Sequence, residues 1–275
     1  MDKNIKYLLI PDVHGRDFWM QPVYEVLKNS DAHIVFLGDF LDPYSFEWED
    51  EYEVVGHERR LVDYKRLAID RFREIINIKR ANPNRVTLLI GNHDCGYCIG
   101  LNICTCRMDY KNAPEITHLF QDNRELFQIG KRIEVNGKTY DLTHSGIFKD
   151  WAKRVWGDEA EADDFNVIDR LNNAWLTEDY KILDRLEEYD YFRGWGGVEH
   201  ASPVWADVRA WIDVPLEETY NYNIVGHTMT DGTPVIMEAI ADIDCKKAFY
   251  IDDKGILRDY MTDEEPEETP IQRKK

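Results

Sequence analysis

Short, uninterrupted apolar runs alternate with longer amphipathic stretches through the first third of the chain. Ile5 to Ile10, His33 to Leu37 and Val86 to Ile90 have strand length and are closed off by Gly, Pro or Asn. A continuous run, rather than strict apolar-polar alternation, is the pattern of a strand buried on both faces. Between the first two runs a helix is predicted over Asp17 to Leu27, with Pro22 either shifting its start or kinking it. Between the second and third, Leu61, Tyr64, Leu67, Ala68, Phe72, Ile75 and Ile76 recur at helical spacing and predict a long amphipathic helix. The order β-α-β-α-β implies a mostly parallel sheet.

Further along the pattern loosens. Cys95, Cys98, Cys104 and Cys106 read as an irregular loop, followed by a helix-forming stretch around Pro114 to Asn123. Arg132 to Val135 and Lys138 to Thr143, separated by Asn136-Gly137, are the strongest hairpin signal in the chain. Residues 148–190 read as a helical insertion with Trp151, Trp156 and Trp175 inside it, broken by Arg193-Gly-Trp-Gly-Gly197. Strands are predicted at Tyr222 to Val225, Pro234 to Ala239, Lys247 to Ile251 and Ile256 to Tyr260. Residues 1–261 are therefore read as one domain, with an acidic, aromatic surface insertion over about 43–58. Residues 262–275 are read as a charged, disordered tail with little to bury.

Composition narrows the partners. The 275 residues carry a formal net charge of −19, which disfavours a stable nucleic-acid partner or an anionic membrane surface. The N-terminal apolar run is too short for a signal segment, and no run approaches the roughly 20 apolar residues of a membrane span. The cysteine count of 5 is odd and fits a reducing, cytoplasmic setting better than a disulfide framework. Cys95, Cys98, Cys104 and Cys106 invite a zinc reading, but their central spacer is short for a zinc module, and buried or free thiols are the favoured alternative.

The chemistry sits at the strand ends. Asp12 and His14 follow the first run, Asp39 and Asp42 the second, Asn92 and His93 the third; His144 ends the hairpin and His227 ends Tyr222 to Val225. Singly, each is an ordinary turn or solvated residue. Together, carboxylate, amide and imidazole groups at successive strand ends suit hard or borderline divalent ions, and crevices beyond strand carboxyl ends are where open α/β sheets bind ligands.

The ordered set Asp12-Val-His14-Gly, Gly38-Asp39-Phe-Leu-Asp42, Gly91-Asn92-His93-Asp94, His144-Ser-Gly and Gly226-His227-Thr resembles the motif series of the calcineurin-like metallophosphoesterases. The resemblance lies nearest the serine/threonine protein phosphatase and dinucleoside tetraphosphatase branch. It implies a four-layer α/β/β/α sandwich carrying two divalent ions (Mn, Fe or Zn, with Mg behind them). Asp12, His14 and Asp39 would hold the first ion, and Asp39, as a bridge, with Asn92, His144 and His227 the second. A hydroxide bridging the ions would attack a phosphorylated protein or small molecule. His93 would protonate the leaving group, with Asp42 orienting it and stabilising its protonated form.

One departure from that branch matters, and one residue bears on the choice of substrate. The arginine that usually follows the second Asp of its motif is replaced here by Pro43-Tyr44, so an anion clamp is missing. Arg209, Arg193 and Arg16 are the candidate replacements, Arg209 first because Ser202-Pro-Val-Trp205 resembles a segment preceding a phosphate-contacting Arg. Met229 stands where many diesterases place a second histidine, which favours phosphomonoesters; a phosphodiesterase or nuclease is the alternative, and an inactive binding scaffold a third reading. The stretch from Phe46 to Tyr52 reads as a solvated insertion, with a lid or partner site as its alternative.

Overall fold

Both faces of the apolar strands are indeed covered in the computed structural model, which describes residues 3–49, 51–55, 58–99 and 107–268. In chain order the strands and helices are β1 (Ile5–Ile10), α1 (Met20–Asn29), β2 (His33–Phe36), β3 (Tyr52–Val55), β4 (Glu58–Leu61), α2 (Tyr64–Ala81), β5 (Val86–Leu89) and α3 (Asn92–Cys98). There follow α4 (Ala113–Gln121), β6 (Phe127–Gln128), β7 (Gly130–Val135), β8 (Lys138–Thr143), α5 (Lys149–Trp156), α6 (Val167–Thr177) and α7 (Tyr180–Leu183). The chain closes with β9 (Tyr222–Val225), β10 (Val235–Ile236), β11 (Ile240–Asp242), β12 (Phe249–Asp252) and β13 (Leu257–Asp259).

Two sheets pack face to face. One has the order β13-β12-β1-β2-β5-β6, the other β10-β11-β9-β8-β7, and β3-β4 is a separate hairpin. In the first sheet β1, β2, β5 and β6 run parallel; in the second, β8, β9 and β11 do. The period of two along each strand divides the core. Leu9, Val35 and Leu37 of the first sheet meet Ile133, Leu142 and Ile224 of the second, whereas Leu8, Ile10, Ile34 and Phe36 face outward into a cluster shared with Val23 of α1 and Phe72 and Ile76 of α2. That is the expected layered α/β arrangement, and it explains why the strand sequences are apolar throughout.

Some local details match the sequence expectation and others depart from it. Pro22 lies in the first turn of α1, where the missing N–H has no helical partner to lose. The Asn136-Gly137 turn has positive φ at both residues, 52° and 76°, as a two-residue hairpin of strands with right-handed twist requires. The expected strand Pro234 to Ala239 is instead two short ones, β10 and β11, because the chain reverses between them and β11 pairs parallel to β9. Cys95 and Cys98 lie in α3, not in an irregular loop. Cys104 and Cys106 fall outside the described residues, as do 269–275 of the expected tail. Within the acidic stretch, Glu47 is anchored by Arg16 and Lys246. Among the described residues, no helix is long and apolar enough to cross a membrane.

Candidate metal centre

The parallel strands of both sheets end at one place. Asp12 follows β1, Asp39 follows β2, Asn92 follows β5, and His144 and His227 follow β8 and β9. The sheets are tied together at that edge: His144 Nδ1 lies 2.8 Å from the Leu37 carbonyl oxygen, and the His227 amide donates to Asp12 Oδ2 at 2.8 Å. Four of these polar residues hold positive φ, namely His14 (43°), Asp39 (52°), Asp42 (57°) and His227 (80°). Left-handed backbone costs a non-glycine residue roughly 1–3 kcal/mol and persists only where surrounding structure over-determines it.

Asp94, which the sequence reading left without a role, is what over-determines Asp39. Its Oδ2 accepts from the amides of Asp39 (2.8 Å) and Gly91 (2.9 Å), and its Oδ1 from that of Phe40 (3.2 Å). The carboxylate thus sews the turn after β2 to the start of α3. The approach is close enough to require glycine. A Cβ on Gly38 (φ 102°) would lie 2.5 Å from the Gly91 nitrogen, and one on Gly91 would overlap Asp39 Oδ1. Asn92 and His93 are then the first residues of a helix rather than part of a loop, so their side chains are aimed by the helix start.

The donor atoms converge. His14 Nε2 is 3.4 Å and His144 Nε2 3.5 Å from Asp39 Oδ2. Asn92 Oδ1 is 2.9 Å from both His144 Nε2 and His227 Nδ1. Two sets of three side chains could each hold a cation, His14 with Asp39 and His93, and Asp39 with His144 and His227, and Asp39 is common to both. Asp12 belongs to neither set, yet its Oδ1 is buried without a hydrogen-bond partner, 4.0 Å from His14 Nε2 and 3.8 Å from His144 Nε2. An orphaned carboxylate oxygen among imidazoles fits divalent ions.

The electrostatics fit as well. Burial holds the His14 imidazole well below its usual pKa, with the charges of His93, Arg107 and Arg16 acting the same way against Asp39. His14 is therefore neutral, and since Nδ1 contacts the Leu41 carbonyl oxygen at 2.6 Å, it is Nε2 that carries the lone pair. Burial, reinforced by Arg193 and His144, likewise holds His227 low. Burial would also lower His144, but the Asp39 and Asp12 carboxylates outweigh it and lift this group to about 10. The two carboxylates thus create a demand for positive charge between them.

His93 faces the same space. Its Nδ1 is 2.8 Å from Asp42 Oδ2, its ring meets that of His14 edge-on at 5.1 Å, and its amide donates to Asp39 Oδ1 at 2.9 Å. Tyr97, not anticipated from the sequence, donates its hydroxyl to Asp42 Oδ1 and accepts from the Asp109 amide at 2.7 Å. Arg107, also not anticipated, places Nη2 3.3 Å from His14 Nε2 and 3.1 Å from His93 Nε2. The only sequence signal for either was proximity to the Asn92-His93 motif.

The three arginines proposed as clamps are engaged elsewhere. Arg16 makes a two-pronged pair with Glu47, at 2.8 and 3.0 Å. Arg193 and Arg209 both pair with Asp207, at 2.8 and 2.7 Å, though Arg193 also reaches Thr228 beside His227.

Comparison with known proteins bears on the fold and the family. No curated protein matches the sequence. A solved protein serine/threonine phosphatase from Saccharomyces cerevisiae, described as similar to human phosphatase PP5, superposes with a TM-score of 0.51 at 15% identity, over 97% of this chain and 82% of that one. At that identity the likeness shows the shared fold. The family model for calcineurin-like phosphoesterases matches residues 5–231, a span that begins with β1 and ends just past His227. The chain therefore belongs to the calcineurin-like phosphoesterases, metal-dependent hydrolases of phosphoric esters.

Proposed function

We propose that this chain is a binuclear phosphomonoesterase. The observation that carries the reading is that Asp39 belongs to both cation-holding sets, as the bridge of a two-ion centre must. Asp12, His14 and Asp39 would hold one ion, and Asp39, Asn92, His144 and His227 the other. Two divalent ions there would supply Lewis-acid charge and a water acidic enough to attack phosphorus near neutral pH. His14 and His227, kept neutral by burial, are ready to ligate without losing a proton. His93, with Nδ1 held by Asp42, directs Nε2 into the site and would hand its proton to the departing oxygen.

The monoester preference rests on Met229. This residue is 41% exposed, and its thioether is a poor partner for Mn²⁺ or Zn²⁺ beside carboxylates. With no further ligand from this position, the first ion would keep a side open to the dianionic end of a monoester. A phosphorylated protein or small molecule is the substrate class. The test is metal analysis of the purified protein, followed by kcat/KM for p-nitrophenyl phosphate and its bis-ester with Mn²⁺. Bound metal and a monoester preference are expected. Absence of metal after Mn²⁺ loading would overturn the centre, and a diester preference of roughly tenfold or more, about 1.4 kcal/mol in transition-state binding, would make the protein a phosphodiesterase.

A further inference from the structure

The arginine absent after Asp42 has a counterpart elsewhere in the chain. We propose that Arg107 is the anion clamp of this site, seated on the ring of Tyr44 and contributed from between α3 and α4; the inference rests on the phosphomonoesterase reading above.

Three observations converge on it. The first is place: Nη2 lies 3.3 Å from Nε2 of His14 and 3.1 Å from Nε2 of His93, so the guanidinium spans from a metal-ligand imidazole to the leaving-group acid. A phosphoryl group bound between those two rings would meet its N–H groups.

The second is how the side chain is held. Its carbon lies 3.6 Å from the Tyr44 ring centroid, and Nε donates to the Asp42 carbonyl oxygen at 3.0 Å. A π face and one carbonyl fix a guanidinium in position without cancelling its charge. Tyr44 is itself located by His14, whose ring meets it edge-on at 5.2 Å. The Pro43-Tyr44 sequence therefore exchanges a locally attached arginine for an aromatic seat that receives one from a distance.

The third is charge. Among the described residues Arg107 forms no ion pair, whereas Arg16, Arg193 and Arg209 are each matched to a carboxylate. An arginine already neutralised by a two-pronged carboxylate must break that pair to grip phosphate. Arg107 exchanges only weak contacts with two imidazole rings for charge-assisted bonds to a dianion.

The test compares wild type with Arg107→Ala, Arg107→Lys, Tyr44→Leu and Tyr44→Phe. The readouts are Mn²⁺ content, binding of inorganic phosphate to the Mn²⁺-loaded protein by calorimetry, and kcat/KM on p-nitrophenyl phosphate and its bis-ester. Arg107→Ala is expected to weaken phosphate binding roughly 10- to 100-fold with metal content unchanged. The monoester should suffer at least five times more than the bis-ester, because the dianion has more charge to lose. Arg107→Lys should recover part of the binding. Tyr44→Leu should shift phosphate binding in the same direction, and Tyr44→Phe, which keeps the π face, should retain it. The tyrosine pair decides the matter if an Arg107 variant fails to fold.

Phosphate binding within twofold of wild type in Arg107→Ala would overturn the clamp. So would an equal loss on both esters, which would assign Arg107 to positioning Asp42 and His93. These results differ from failure of the underlying reading, in which wild type itself would hold no metal or cleave no monoester.

Discussion

Asp42 and His93 are joined by a 2.8 Å contact, with Tyr97 on the other carboxylate oxygen, so the imidazole has little freedom to turn. If His93 is the general acid, His93→Ala should lower turnover of alkyl phosphates by roughly 10²- to 10⁴-fold with both ions still bound. The loss should shrink for aryl phosphates, whose leaving oxygen needs no proton, and steady-state kinetics on the two ester types, with metal analysis, checks both halves. Asp94 acts differently, on the backbone. Replacing it with Ala strands the amides of Asp39, Phe40 and Gly91, each buried donor costing roughly 1–3 kcal/mol. Asp94→Ala should therefore lose at least about 2 kcal/mol in denaturant unfolding and bind Mn²⁺ more weakly. Stability within 0.5 kcal/mol of wild type, by order of magnitude, would show that the bonds to Asp94 are dispensable. Asp12, His14, Asp39, Asn92, His144 and His227 were all legible in the sequence because each sits in a motif of a few residues at a strand end. Arg107 and Tyr97 were not, because nothing local in Cys-Arg-Met or Gly-Tyr-Cys records which group they meet.

Glycines let elements approach one another closely at the site. A Cβ on Gly226 would overlap Asp12 Oδ2, the atom that holds the His227 amide. Gly226→Ala should thus push the Asp12 carboxylate off its position and reduce Mn²⁺ occupancy, measurable by metal analysis, while far-ultraviolet dichroism stays close to wild type because both sheets persist. Farther from the centre, His33 at the start of β2 lies 2.8 Å from the Thr87 hydroxyl of β5. Burial, aided by the charges of Lys131 and Lys79, lowers its pKa to about 4. Because the folded-state value lies below the unfolded value near 6.5, the unfolded chain takes up the proton first. The stability that neutral His33 supports is present above pH 6.5 and declines as pH falls toward 4. Relative to wild type, His33→Asn should lose less thermal stability across that interval; parallel melting curves for the two proteins would rule the group out as a contributor. The same scale shows what patterns miss. β6 is two residues and β11 three, too short for any periodicity, and exist because neighbouring strands offer unpaired edges. The helical start at Asn92 depends on Asp94 capping Gly91 while also holding a turn of another strand.

At the scale of the whole molecule, the centre is a seam between two sheets, each contributing donors from its own strand ends. Asp12, Asp39, Asp94, Asp242 and Asp244 are all buried in the protein, and burial together with neighbouring carboxylates raises the pKa of Asp12, Asp242 and Asp244. Cations that bind only the folded seam relieve that repulsion and stabilise the fold by mass action. At a free Mn²⁺ concentration of 100 times Kd the gain is about 2.7 kcal/mol per site, or roughly 5 °C in Tm for a chain of this size. Chelation should reverse it, and Asn92→Ala should diminish the Mn²⁺-dependent part; a melting temperature indifferent to both Mn²⁺ and chelator would contradict a centre at the seam. The sequence by itself determined the α/β class, the hairpin at Asn136-Gly137 and the set of strand-end donors, because strand burial, turn geometry and ligand chemistry are written within a few consecutive residues. The tertiary structure alone decided which strands become neighbours, that the arginines at 16, 193 and 209 spend their charge on Glu47 and Asp207, and that Arg107 rests on Tyr44 beside His14 and His93. Charge pairing and sheet order depend on distances between segments far apart in the chain, and no local pattern encodes those distances.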